Sequence, residues 1–265
     1  ILERMRRIIR QPHGMLLVTG PTGSGKTTTL YGALREVNKP GVKILTVEDP
    51  IEYRLPGICQ VQVNTKIDLS FGRVLRSLLR QDPDVILIGE MRDQETAEIG
   101  LRAAMTGHFV LSTLHTNDAI STASRLLDMG TESFLVATSL RAVVAQRLVR
   151  RICESCAEPH VLSPAHAEFA RAELGDAFSE KGFRRGRGCT YCNQTGYQGR
   201  VGVYELLEMD EELSALLQRG DSAGFTVAAR LQPDFISLRR SAVEMAARGV
   251  TTMDQVLRVT YGVIE

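Results

Sequence analysis

Gly20, Pro21, Thr22, Gly23, Ser24, Gly25, Lys26 and Thr27 follow directly on an apolar run, Met15 to Val18. Glycines at this spacing let backbone N–H groups turn inward around the β-phosphate of a nucleotide. The Lys26 ammonium would reach the β- and γ-phosphates, and the Thr27 hydroxyl would sit on a magnesium ion. Thr28 joins the same phosphate-binding group. Hydrolysis needs more than a cradle: acidic groups at the carboxyl ends of neighbouring strands, where they can meet magnesium and a water. Glu90 ends the run Val85-Ile-Leu-Ile-Gly and would hold the hydration shell of the magnesium. Glu48 follows Ile44 to Val47 and would orient or deprotonate the attacking water. A strand-end acid on its own more often caps a helix or meets solvent. Beside a phosphate loop, the catalytic reading is the stronger one.

His115 ends a third apolar run, Leu111-Ser-Thr-Leu, at the strand end where a γ-phosphate or a neighbouring subunit would be sensed. His108 begins the same run at the opposite end, where catalytic and structural roles stand level. Arg73, Arg76 and Arg80 recur at helical spacing opposite Phe71, Val74, Leu75, Leu78 and Leu79. A solvated face is the simpler account; an arginine reaching a phosphate across a subunit interface is the alternative. Further on, Cys153-x-x-Cys156 and Cys189-x-x-Cys192 bracket a glycine-bearing insert. One such pair could be redox-active, but two together suit a closed, tetrahedral, structural zinc site. Cys59 lies outside the pattern and reads as an ordinary strand residue. His160 and His166 fall between the pairs but are surplus to four thiolates.

These groups need a scaffold, and the chain marks one. Apolar runs at 15–19, 42–48, 85–89 and 108–113 alternate with helical patterns at 25–37, 70–81 and 94–105, the rhythm of a mainly parallel sheet covered by helices. Residues 50–64, punctuated by Pro50, Pro56 and Gly57, read as a hairpin or edge pair. Helices are expected at 118–128 and 132–147, a strand at 200–205, and short amphipathic helices from 210 onward. The expected domains are an α/β nucleotide-hydrolysing core with a mainly parallel sheet at 14–150, a zinc-binding insert at 151–200, and a C-terminal strand with a helical subdomain at 201–265. Residues 1–13 read as the end of an earlier domain or linker, because Ile1, Met5, Ile8 and Ile9 fall on one side of a helix. The chain of 265 residues is 43% hydrophobic and 24% charged, with a net charge of +1. That balance gives no general pull toward nucleic acid or anionic lipid. The apolar runs are too short to span a bilayer and no signal peptide is visible, so a cytoplasmic location without membrane insertion is expected.

The motifs together resemble the secretion ATPase superfamily that drives type II secretion and type IV pilus assembly. The phosphate loop reads GPTGSGKTTTLY (Gly20 to Tyr31) and the Asp box VEDPIEY (Val47 to Tyr53). The Walker B segment runs from Arg80 to His108 and the His box, STLHTNDA, from Ser112 to Ala119. The tetracysteine insert is similar to that of the assembly and secretion branch, and Ile51 to Asn64 is most similar to the ATPases of mannose-sensitive haemagglutinin pili. The resemblance implies ATP, Mg2+ and Zn2+ as ligands, with Glu48 as catalytic glutamate, Glu90 as Walker B acid and His115 as γ-phosphate sensor. It also implies a homo-hexameric ring at the inner membrane, working on a platform protein there. In this family the core is a RecA-like ATPase, and a further N-terminal domain supplies arginines to the nucleotide and in some members binds cyclic di-GMP; the resemblance implies that residues 1–265 correspond to the part downstream of that domain.

Overall fold

The apolar runs condense into one sheet because each is too hydrophobic to face water on either side. The computed structural model describes residues 1–261. After a short α1 (Leu2–Ile8), the strands and helices alternate as β1 (Gly14–Thr19), α2 (Lys26–Val37), β2 (Ile44–Glu48), β3 (Cys59–Gln62), α3 (Phe71–Leu78), β4 (Val85–Ile88), α4 (Gln94–Met105) and β5 (Phe109–Leu114). Then come α5 (Ile120–Asp128), α6 (Ser133–Ser139) and a long β6 (Leu140–Ile152). The sheet runs β3-β2-β4-β5-β1-β6-β9, where β9 spans Tyr197–Glu208. All the pairings from β3 through to β6 are parallel.

Buried side chains explain the order. Met15 to Val18, Ile86 to Ile88, Val110 and Leu111 are all shielded from solvent. Leu30, Tyr31 and Leu34 of α2, Val74 and Leu75 of α3, and Ala97 and Leu101 of α4 are buried as well. Helix starts are set by side-chain caps, as at α4, where Asp93 accepts from the Thr96 N–H at 2.8 Å.

Two expectations fail here. The helix expected over 132–147 stops at Ser139, and Leu140 onward is strand. Leu16 to Thr19 pair with Ala142 to Ala145, so this segment lies inside the sheet, not on top of it. Its near-continuous apolar run suits a strand buried on both faces, which periodicity alone does not separate from a helix. Residues 50–64 form no hairpin. Only Cys59–Gln62 is strand, and it runs parallel to β2 at the sheet edge after an irregular loop.

The chain divides into two compact units that interleave along the sequence. The first comprises Ile1–Ala145 and Leu206–Phe235, and includes α8 (Glu211–Gln218) and α9 (Ser222–Leu231). The second is Gln146–Glu205 with the chain from Ile236 onward. It holds a two-stranded antiparallel ribbon of β7 (Ala157–Pro159) and β8 (Arg184–Gly186), together with α7 (Pro164–Leu174), α10 (Leu238–Ala247) and α11 (Met253–Tyr261). Within it, Glu205 accepts from the Leu238 N–H at 2.8 Å, and the Arg150 guanidinium lies 4.1 Å from the Tyr197 ring centre. No helix among the described residues is long and apolar enough to cross a membrane.

Candidate functional site

Four neighbouring parallel strands, β2, β4, β5 and β1, carry their carboxyl ends to one edge of the sheet. Val47 lies beside Ile88, Ile88 beside Ser112, and Leu114 beside Thr19. Just beyond these positions stand Glu48, Glu90, His115 and the loop that opens at Gly20. Motifs far apart in sequence therefore form a row, at the place where open parallel sheets bind ligands.

The backbone locks the row. The Gly89 N–H donates to Val47 O at 2.8 Å, and the Met91 N–H to Thr113 O at 3.1 Å. Thr113 Oγ1 donates to Gly89 O at 2.8 Å. The Thr116 N–H donates to Thr19 Oγ1 at 2.8 Å, tying the segment after His115 to the end of β1. Gly89 is required by proximity: a Cβ there would lie 3.2 Å from Glu48 Cα and 3.3 Å from Val47 O. Both are backbone atoms with little room to yield.

In the phosphate loop, Gly25 adopts φ 87°, a left-handed conformation that glycine takes at no steric cost. It directly precedes Lys26, so the N–H groups of the first turn of α2 face out of the helix end. Lys26 Nζ donates to Gly20 O at 2.7 Å and to Pro21 O at 3.1 Å, lying across the loop it belongs to. Thr27 is half-buried and Thr28 exposed.

The acids sit in two environments. Glu90 is 16% exposed and His115 52%, with His115 Nε2 3.5 Å from Glu90 Oε2. Arg92 pairs with the other oxygen of Glu90, and its guanidinium also comes within 4.0 Å of Asp49 Oδ2. The hydrogen bond with Glu90 holds Arg92 above its ordinary range. Glu48, by contrast, is only 3% exposed. Its carboxylate accepts from the Tyr31 hydroxyl, from Thr46 Oγ1 at 2.5 Å and from Gln60 Nε2 at 3.1 Å. Burial, and then the hydrogen bond to Glu48, push the Tyr31 phenol well above its usual range.

Tyr31, Gln60 and Arg92 were not foreseen. Tyr31 reads as one more buried position of an amphipathic helix. Gln60 left a faint signal, as a polar residue on the inward side of a strand. Arg92 stood two residues past Glu90 without any periodicity to mark it. His108 lies at the amino end of β5, where its Nδ1 is 3.1 Å from Ala103 O at the close of α4. That is a structural setting, at the far end of the strand from His115. Arg73 and Arg76 lie on an exposed face, paired with Asp68 and Glu95.

The second unit gathers Cys153, Cys156, Cys189 and Cys192, with all four sulfurs within 4.8 Å of one another. The distances Cys153–Cys189, Cys156–Cys192 and Cys189–Cys192 are 3.8, 3.9 and 3.7 Å. A tetrahedral zinc with bonds of about 2.3 Å separates its sulfurs by about 3.8 Å, so the cluster fits that ion. The Cys189 and Gly196 N–H groups donate to Cys192 Sγ at 3.2 and 3.3 Å. Burial pushes the Cys156 thiol up to about 12. At Cys192 the same burial is outweighed by those two amides together with the Cys189 and Cys156 thiols, and the thiol comes down to about 6.

Residues 2–258 match the model of a family described as Type II/IV secretion system protein. The chain is 50% identical to Type II secretion system protein E of Dickeya dadantii (strain 3937) over 258 residues, 97% of this chain and 51% of that protein. It is also 50% identical to Type II secretion system protein HxcR of Pseudomonas aeruginosa PAO1 over 260 residues, 98% of this chain and 51% of that protein. Among solved structures, the pilus retraction motor PilT with bound ADP superposes with a TM-score of 0.70 at 28% identity, covering 97% of this chain and 64% of that one. The chain thus spans about half the length of the curated relatives it matches.

Proposed function

Because this chain belongs to the Type II/IV secretion system protein family, we propose that it is the ATP-hydrolysing motor portion of a machine driving type II protein secretion or type IV pilus assembly. The observation that carries this reading is the row at the sheet edge: phosphate loop, His115, Glu90 and Glu48 on four adjacent strands. The loop amides and the helix end would hold the phosphates. Lys26 would exchange the carbonyls of Gly20 and Pro21 for phosphate oxygens. Thr27 and, through water, Glu90 would hold magnesium, which when bound neutralises charge on the phosphate oxygens. Glu48 would orient the attacking water and take its proton. His115, half-exposed and against Glu90, would register whether the γ-phosphate is present.

The cysteine cluster would hold a structural zinc, with all ligands supplied by the second unit. The relatives named for type II secretion support a secretion setting, and the run Ile51 to Asn64 supports a pilus one; the same chemistry serves both. A homo-hexamer at the cytoplasmic face of the inner membrane, pushing on a platform protein, completes the proposal. The test is Glu48→Gln in the full-length protein. It should bind MgATP like the parent and lose turnover by roughly a thousandfold or more. Turnover at the parent rate would strip Glu48 of its role.

A further inference from the structure

A carboxylate that is 3% exposed has left most of its water behind and needs donors in exchange. Glu48 receives them from three separate elements. Tyr31 comes from α2 onto Oε2, Thr46 from two residues back on β2 onto Oε1 at 2.5 Å, and Gln60 from β3 onto Oε1 at 3.1 Å. The amide of Gln60 can face only one way. Its Oε1 accepts from the Leu55 N–H at 2.7 Å, and its Nε2 also lies 3.2 Å from Tyr53 O. Gln60 Nε2 is 3.3 Å from the Tyr31 hydroxyl as well, so the two residues support each other. The loop leaving Glu48 is thereby fastened back onto the Glu48 side chain.

We infer that Tyr31 and Gln60 are positioning residues for the Glu48 carboxylate, fixing which of its oxygens is left to accept a proton from water. Oε1 already takes two donors and Oε2 takes one, so the open lone pair lies on Oε2, beside the Tyr31 hydroxyl. The phenol suits this task because burial and the neighbouring carboxylate keep its proton in place. Its ring is held independently, edge-on to Tyr53 with centres 4.7 Å apart, so Tyr31→Phe removes the hydroxyl and little else. This inference rests on the assignment of Glu48 as the group that acts on water.

The experiment is steady-state and single-turnover ATP hydrolysis by the full-length protein carrying Tyr31→Phe or Gln60→Leu, each alone and with Glu48→Gln. In either single variant kcat should fall about tenfold to a hundredfold, the scale of a misplaced catalytic group, with KM and MgATP affinity unchanged. On the Glu48→Gln background neither change should slow the residual rate further, because the group they position is already gone. Parent kcat in both single variants overturns the inference. So does a slowing that multiplies onto Glu48→Gln, or one matched by an equal loss of nucleotide binding. Gln60 lies on the edge strand, so its variant keeps the test open if Tyr31→Phe fails to fold. An active Glu48→Gln sinks the functional assignment itself. An inactive Glu48→Gln beside unimpaired Tyr31→Phe and Gln60→Leu sinks only the positioning role.

Discussion

The strand-end row and the cysteine cluster are both constellations of side chains brought in from distant sequence, yet they are built in opposite ways. The cysteines have sulfurs already at the separations of a tetrahedral ion, three of the four are buried, and backbone N–H groups are aimed at Cys192. The row keeps its groups within reach of solvent: His115 is 52% exposed, Arg92 62%, and Thr28 is on the surface. Its charged members are held within the row, Lys26 by loop carbonyls and Glu90 by Arg92 and His115. A closed shell leaves no position for a reactant, whereas a site that turns over must exchange partners in every cycle. Glu48 is the exception within the row. It is as sheltered as the buried cysteines, and three local donors hold it while one lone pair of Oε2 stays open.

Three variants can break or sharpen this contrast. The largest effect is expected for Lys26→Ala, which removes the cation from the phosphate loop. ATPase activity should drop by roughly a thousandfold or more, with a large loss of nucleotide affinity, while bound zinc stays at one per chain. Loss of zinc on that change would mean that the two regions are not chemically separate. Next comes Cys189→Ser with Cys192→Ser. Elemental analysis should show zinc falling from about one per chain to none, and the melting temperature should drop by on the order of 10 °C. A parent protein without zinc would remove the metal from the comparison. The smallest effect is expected for His115→Ala: kcat lower by about tenfold to a hundredfold, with MgATP binding close to the parent in equilibrium titration. If binding and kcat fell together, His115 would be holding nucleotide and not sensing it.

The legible parts of the molecule are those whose cause is local. Helix α4 spans Gln94 to Met105, as the pattern predicted, because an Asp93 cap and a regular apolar face both lie within the segment. The phosphate loop and the cysteine pairs are equally local, since spacing alone carries their chemistry. The misreadings share another trait. Residues 140–147 include the apolar run Ala142 to Ala145, compatible with either helix or strand, and the decision belongs to β1, with which that run pairs. Residues 50–64 alternate like a hairpin, but Gln60 is turned inward and Cys59–Gln62 pairs with β2, leaving no second strand to fold back.

The sequence by itself determined which groups are on offer: a glycine-rich loop, a lysine, strand-end acids and two cysteine pairs depend on residue type and short spacing. It also determined an α/β core, because apolar runs of strand length alternating with amphipathic helices bury themselves in few other ways. Only the tertiary structure decided which groups meet. The sheet order β2-β4-β5-β1 sets Glu90 beside His115. Packing of α2 and β3 against the end of β2 encloses Glu48 with Tyr31 and Gln60. Those meetings depend on register and packing between elements far apart in the chain, which no local pattern records.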